Sequence, residues 1–264
     1  MMMLWDQAPG LDLTLSEDIP SLEPYLVDST EPRPAVIICP GGGYIRRVAR
    51  EAEPIARWLN ELGLHAFVLT YRVAPYRYPY PVLDGKRAVK VVRHKAEELG
   101  VVSDKIGIMG FSAGGHLAST VTTHFGEYES PAVDEIDSVS CRPDFAILCY
   151  AVINMDSAHA NRGSVVNLLG EDAAPALLAK FSNENQVTPD TPPCFLWHMS
   201  GDTGVPVANS LNFASALAAN GVPFGLCVYP NGQHGWGHGW NGDDRCSWKE
   251  TCAEWLRLME ICQA

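Results

Sequence analysis

Short, almost purely apolar runs separated by helix-length amphipathic stretches constrain this chain more than any other feature. Ala35-Val36-Ile37-Ile38-Cys39, Ala66-Phe67-Val68-Leu69 and Ile106-Gly107-Ile108-Met109 have no polar break. A strand wetted on one face alternates apolar and polar residues, whereas a continuous run fits a strand covered on both faces. Runs at Phe145–Tyr150, Phe195–His198 and Phe224–Tyr229 continue the pattern. Between them lie candidate helices at 51–62, with Pro54 in the first turn, at 82–99, closed by Gly100, and at 115–125, 210–220 and 247–261. Alternating strands and helices predict an α/β fold, with a mostly parallel central sheet of about eight strands and helices on both faces. Leu11–Leu15 alternates with period two and predicts a further, half-exposed strand.

Residues 154–193 break this rhythm. They carry polar stretches, several prolines and a short helical piece around Ala176–Lys180. This stretch is expected to form a small lid inserted over one end of the sheet, within a single domain spanning 1–264.

Charge and cysteine usage narrow the function classes. A formal net charge of -12 supplies no basic footprint for nucleic acid or an anionic membrane surface. No segment approaches the roughly 20 apolar residues that span a bilayer. The opening Met1-Met2-Met3-Leu4-Trp5-Asp6 has neither a basic start nor a signal-length apolar stretch, so a soluble, cytoplasmic protein is expected. Cys39, Cys149, Cys194 and Cys227 fall in strand-like runs and no Cys-x-x-Cys pair occurs, which suits reduced, buried thiols.

The chemistry concentrates at Gly110-Phe111-Ser112-Ala113-Gly114, between a predicted strand and a predicted helix. Glycines on both sides allow a strand and a helix to approach closely around a sharp turn. A serine at such a turn is presented at the carboxyl end of the sheet, beside the positive end of the helix. Its hydroxyl is a weak nucleophile without a base to take its proton. Asp202, in the turn after the run ending at His198, and His234, in a glycine-rich loop after Tyr229, follow in the order serine, acid, histidine. The competing readings are a turn cap for Asp202 and a backbone-bonding loop residue for His234. His238 is a candidate for the mouth of the site, His116 for local packing or hydrogen bonding, and His124 and His198 for structural roles. No third ligand is spaced to make a metal site with His234 and His238.

Gly41-Gly42-Gly43 follows the run ending at Cys39. The amides of Gly42 and Gly43, with that of Ala113 next to the serine, are the candidate donors to an oxyanion. Phosphate-binding patterns are absent, because neither Gly-Lys-Ser/Thr nor Gly-x-Gly-x-x-Gly is present there.

Taken together, "CPGGGY" at 39–44, "YRVAPYRYP" at 71–79, "GIMGFSAGGHLA" at 107–118, "GSVVNLLGE" at 163–171, "TPPCFLWHMSGDTGVPVANS" at 191–210 and "YPNGQHGWG" at 229–237 resemble the α/β-hydrolase serine esterases. The resemblance is to the acetyl-xylan-esterase-like, sugar-ester hydrolase group related to the hormone-sensitive-lipase family. It implies an α/β-hydrolase fold, an acyl-enzyme mechanism on Ser112 with His234 and Asp202, and no cofactor. The lipase relatives carry His before their glycines; Pro40 stands there in this chain. That departure favours short acyl esters of sugars as substrates. Tyr44, Trp236 and Trp240 are then candidates either to stack on a sugar or to pack within their loops, and Asn154, with Asp156, either to meet its hydroxyls or to cap the lid. The alternatives are a peptidase of the prolyl-oligopeptidase type and a non-catalytic ligand-binding scaffold. The sequence leaves the oligomeric state open, a homodimer included.

Overall fold

The computed structural model describes residues 1–12, 19–126, 134–235 and 246–262. The chain begins with β1 (Met2–Met3), β2 (Ser21–Tyr25) and β3 (Arg33–Cys39), then α1 (Glu53–Glu61) and β4 (His65–Thr70). Helices α2 (Tyr80–His94) and α3 (Ala96–Leu99) lead into β5 (Val101–Phe111), α4 (Ala113–Thr123) and β6 (Phe145–Cys149). The inserted stretch holds α5 (Arg162–Leu169) and α6 (Pro175–Lys180). The chain then continues through β7 (Cys194–Met199), α7 (Ala208–Ala219), β8 (Phe224–Tyr229) and α8 (Trp248–Leu258).

The strands form one eight-stranded sheet in the order β1-β2-β4-β3-β5-β6-β7-β8. β1 and β2 run antiparallel to their neighbours, and every pairing from β4 through β8 is parallel. Along β3 the side chains sort by parity. Ala35, Ile37 and Cys39 join the core under α2, α4 and α7, while Val36 and Ile38 join the core under α1 and α8. Both faces are therefore apolar, as continuous runs require. On the second face Trp197 of β7 stacks on Trp248 of α8, with ring centroids 5.0 Å apart.

Strand register sets where the loops gather. Cys39 pairs with Gly110, and Phe111 pairs with Cys149. The carboxyl ends of β3, β5 and β6 therefore finish side by side, the usual place for a ligand crevice in a parallel sheet.

Several expectations are corrected. The helix expected over 82–99 breaks at Lys95 into α2 and α3, and no residue type there signals the break; Gly100 closes α3 with φ 62°. Of the strand expected over Leu11–Leu15, residues 13–15 lie outside the described residues, and 11–12 are not in a strand. A strand that the sequence reading does not pick out is β2, which contains Pro24. Among the described residues β1 pairs only with Ser21 and Leu22, so Pro24 lies beyond its reach, where a missing N–H leaves no ladder bond to β1 unmade. Helix α5 escapes sequence reading because Gly163 and the Val165-Val166 pair weaken helix propensity. Its signal is Asn161, whose side chain caps the helix by accepting the Ser164 amide at 2.9 Å.

Candidate active site

β5 ends at Phe111 and α4 begins at Ala113, leaving one residue to turn the chain. Ser112 makes that turn with φ 52° and ψ -119°, a conformation that side chains rarely adopt. Three backbone hydrogen bonds hold it there. Its amide donates to Cys149 (3.0 Å), and its carbonyl accepts from His116 (3.1 Å) and Val152 (3.0 Å). The flanking glycines are needed for close approach. A Cβ on Gly110 would lie 2.1 Å from the Gly114 carbonyl oxygen, and one on Gly114 would lie 2.1 Å from that of Cys39.

Ser112 Oγ lies 2.7 Å from His234 Nε2, and His234 Nδ1 lies 2.7 Å from Asp202 Oδ2. With Nδ1–H donating to the carboxylate, Nε2 is left to accept the serine proton. Asp202 is almost wholly buried, while His234 is partly open to solvent. The other carboxylate oxygen, Oδ1, accepts the amides of Gly204 (2.9 Å) and Val205 (2.8 Å). Burial works against the Asp202 charge. The His198 and His234 side chains and the Val205 amide outweigh it and hold the carboxyl well below the usual carboxylate range.

His198 has a closer relation to this group than a structural histidine in a strand needs. Its Nε2–H donates to the Val205 carbonyl at 2.9 Å and lies 3.5 Å from Asp202 Oδ2, while Nδ1 accepts from Ser210 at 2.8 Å. The acid is thus flanked by two imidazoles.

The Gly41–Gly43 loop follows β3 and passes beside Ser112. A Cβ on Gly41 would be 3.0 Å from Ser112 Cβ. Gly42 has φ 133°, where a side chain would meet the Arg46 carbonyl at 2.3 Å. Among the described residues no acceptor takes the amides of Gly42, Gly43 or Ala113, and no side chain caps the start of α4. These three amides remain the candidate oxyanion donors. The Gly41 amide does not, because Glu51 Oε2 accepts it at 2.6 Å.

Two candidate substrate contacts are corrected. Tyr44 is fully buried and offers no face to a sugar. Its hydroxyl donates at 2.9 Å to His116 Nδ1, and His116 Nε2–H donates to the Phe181 carbonyl at 2.8 Å. His116 therefore bridges the glycine loop to the inserted segment rather than packing locally; burial pushes its pKa down to about 4. Asn154 is also buried. Its Oδ1 accepts the amides of Asp156 (3.2 Å) and Ser157 (2.8 Å), and its Nδ2 bonds Asp156 and Glu184. Asn154 caps a turn with the groups it would have offered to substrate. Trp236, Trp240 and His238 lie outside the described residues.

Sequence reasoning misses Glu51 and Tyr150. Glu51 is buried, accepts from Gly41 on one oxygen and from the Tyr150 hydroxyl (2.8 Å) on the other. The Tyr150 ring stands against the His234 imidazole, centroids 5.2 Å apart at 77°. In the sequence Glu51 is only the first residue of a candidate helix, where an acid is ordinary. Among the described residues no cluster of His, Cys, Asp and Glu side chains is placed to hold a metal ion, and no helix is long and apolar enough to cross a membrane.

The profile of the BD-FAE family matches residues 23–217. The chain is 37% identical over 221 residues to endo-1,4-beta-xylanase B of Butyrivibrio fibrisolvens, covering 82% of this chain and 34% of that protein. It is 33% identical over 244 residues to the acetylxylan esterase of Xylanibacter ruminicola, covering 90% of this chain and 48% of that one. It therefore spans between a third and a half of these relatives' lengths. The crystal structure of an acetyl ester-xyloside bifunctional hydrolase from Caldicellulosiruptor lactoaceticus matches at TM-score 0.95 and 44% identity, covering 100% of this chain and 97% of that one. The fold is that of the α/β-hydrolase esterases, and the chain belongs to the BD-FAE family.

Proposed function

On the footing of that family membership, we propose that this chain is a serine hydrolase of short-chain carboxylic esters, acetyl esters of sugars foremost, acting through an acyl-enzyme on Ser112. The observation that carries this reading is the unbroken relay Ser112 Oγ–His234 Nε2 and His234 Nδ1–Asp202 Oδ2, each link 2.7 Å. The names of two similar proteins, an acetylxylan esterase and an acetyl ester-xyloside hydrolase, support the substrate class.

Each step uses one part of this geometry. Ser112 Oγ attacks the ester carbonyl carbon as its proton passes to His234 Nε2. Asp202, kept ionised by its hydrogen bonds, stabilises the imidazolium that forms and holds its ring in line. The Gly42, Gly43 and Ala113 amides receive the developing oxyanion, assisted by the amino-terminal end of α4. His234 then returns the proton to the leaving alcohol. Water, deprotonated by the same imidazole, attacks the acyl-serine; acid is released and Ser112 regains its proton. No part of this route calls for a cofactor. All eight cysteines are free thiols, which favours a reducing, cytoplasmic setting.

Acetate release from acetylated xylo-oligosaccharides tests the proposal, with a peptide anilide run alongside. Acetate release with an untouched anilide is expected. Amide cleavage without acetate release would favour the peptidase reading.

A further inference from the structure

Behind the glycine loop sits a carboxylate that helix capping does not explain. Glu51 closes the short turn Ala49–Glu51 and is 2% exposed. Charged side chains are rarely buried this far without partners. Those of Glu51 lead to the active site from two directions. Oε2 takes the amide of Gly41, where a Cβ would lie 3.0 Å from Ser112 Cβ, and Oε1 takes the hydroxyl of Tyr150, whose ring stands against His234. Tyr150 itself holds a positive φ of 36° just past β6, so its ring direction is set by an unusual backbone turn. Burial pushes the Glu51 carboxyl up, and the Tyr150 and Gly41 hydrogen bonds, with the charge of neighbouring Arg50, oppose that push.

We infer that Glu51 is a positioning residue for the esterase reaction: its two oxygens lock the Gly41–Gly43 loop and the Tyr150–His234 contact into one register with Ser112. The inference rests on Ser112 being the nucleophile of an ester hydrolase. The loop donates to the oxyanion through amides, and amides aim only where their backbone is held. Gly41 has no side chain to anchor the loop, and no room for one: a Cβ there would lie 2.6 Å from the Phe111 carbonyl oxygen and 2.8 Å from Glu51 Oε2. The loop carbonyls are held from elsewhere, Gly41 by the Val48 amide (2.9 Å) and Gly42 by the Ile45 amide (3.1 Å), and Glu51, from a separate turn, holds the Gly41 amide at the loop's entrance. The same carboxylate fixes Tyr150, so loop and base cannot drift independently.

The test compares Glu51→Ala, Glu51→Gln and Glu51→Asp with the wild-type protein, each assayed well below its own melting temperature. The readouts are kcat and KM on an aryl acetate and the rate at which a fluorophosphonate modifies Ser112. Alanine removes both contacts and is expected to lower kcat by about thirtyfold or more, with KM within about threefold and labelling slowed in parallel. Glutamine keeps an acceptor for Gly41 and a polar partner for Tyr150, and should return kcat to within about fivefold of wild type. Aspartate keeps the charge but not the reach, and should lose about tenfold. Wild-type kcat in folded Glu51→Ala, or a loss confined to KM or melting temperature, overturns the inference. So does a glutamine variant no better than alanine. If Glu51→Ala does not fold, Glu51→Asp decides, and wild-type kcat there overturns it equally. A wild-type protein that neither labels nor cleaves the ester removes the esterase reading itself, and this role with it. Impaired variants beside an active wild type leave both standing.

Discussion

Asn167 Nδ2 donates a 2.7 Å hydrogen bond to the carbonyl oxygen of Gly43, joining α5 of the inserted segment to the loop beside Ser112. The bond crosses 124 residues of chain and holds the opposite end of the loop from the one that Glu51 holds. With its carbonyl engaged, the Gly43–Tyr44 peptide is held, which restrains Gly43 and so limits the swing of the donor amide on its other side. Asn167→Ala is expected to lower kcat/KM on an aryl acetate by about three- to tenfold, since the loop keeps its bonds to Glu51, Val48 and Ile45. Steady-state kinetics beside a melting curve check this. Unchanged kcat/KM would mean that the inserted segment does not govern the loop.

Acyl length would separate the proposed short-chain esterase from a lipase. The inserted segment contributes α5 and α6, of eight and six residues, and neither is long enough to roof a lipid tail. A channel would gain about 0.8 kcal/mol for each methylene it buried, and a site without one gains nothing and meets steric resistance. Acetate is therefore expected to exceed octanoate in kcat/KM by at least about tenfold for one alcohol. A preference for octanoate would contradict the short-chain reading.

His116 gives stability a pH dependence. A histidine in the unfolded chain takes its proton near pH 6.5, whereas buried His116 does so only at about 4. Between those values the unfolded chain binds more protons, so stability is lost as pH falls through that window. From pH 7 to 5 this group should cost the wild-type protein about 2 kcal/mol that His116→Gln does not lose. Urea denaturation of both proteins at the two pH values measures the difference. Parallel losses would show that His116 is not held neutral by the fold.

The strands with continuous apolar runs are legible because each is covered on both faces. Hydrophobicity alone locates β3, β4 and β6 to within a residue or two. β2 is not legible, because its proline argues against a strand unless it is known that β1 pairs only with Ser21 and Leu22 among the described residues. Ser112, Asp202 and His234 can be picked out because each stands in a turn after an apolar run, and such turns gather at one end of a parallel sheet. Tyr44 and Asn154 mislead for one common reason. Both are polar residues in loops at that end, and only three-dimensional packing shows that one is sealed against His116 and the other spent on capping. Glu51 and Tyr150 are invisible because burial of a charge and the direction of a ring leave no periodic trace in sequence.

The most direct test of the central claim is Ser112→Ala beside His234→Ala and Asp202→Asn, assayed for acetate release from acetylated xylo-oligosaccharides and for fluorophosphonate labelling. The relay predicts that Ser112→Ala abolishes labelling and lowers kcat by about 10⁴-fold or more, with its melting temperature retained. His234→Ala should be similarly severe, and Asp202→Asn somewhat less so. Wild-type acetate release by a folded Ser112→Ala, or labelling that persists at another residue, would contradict the account.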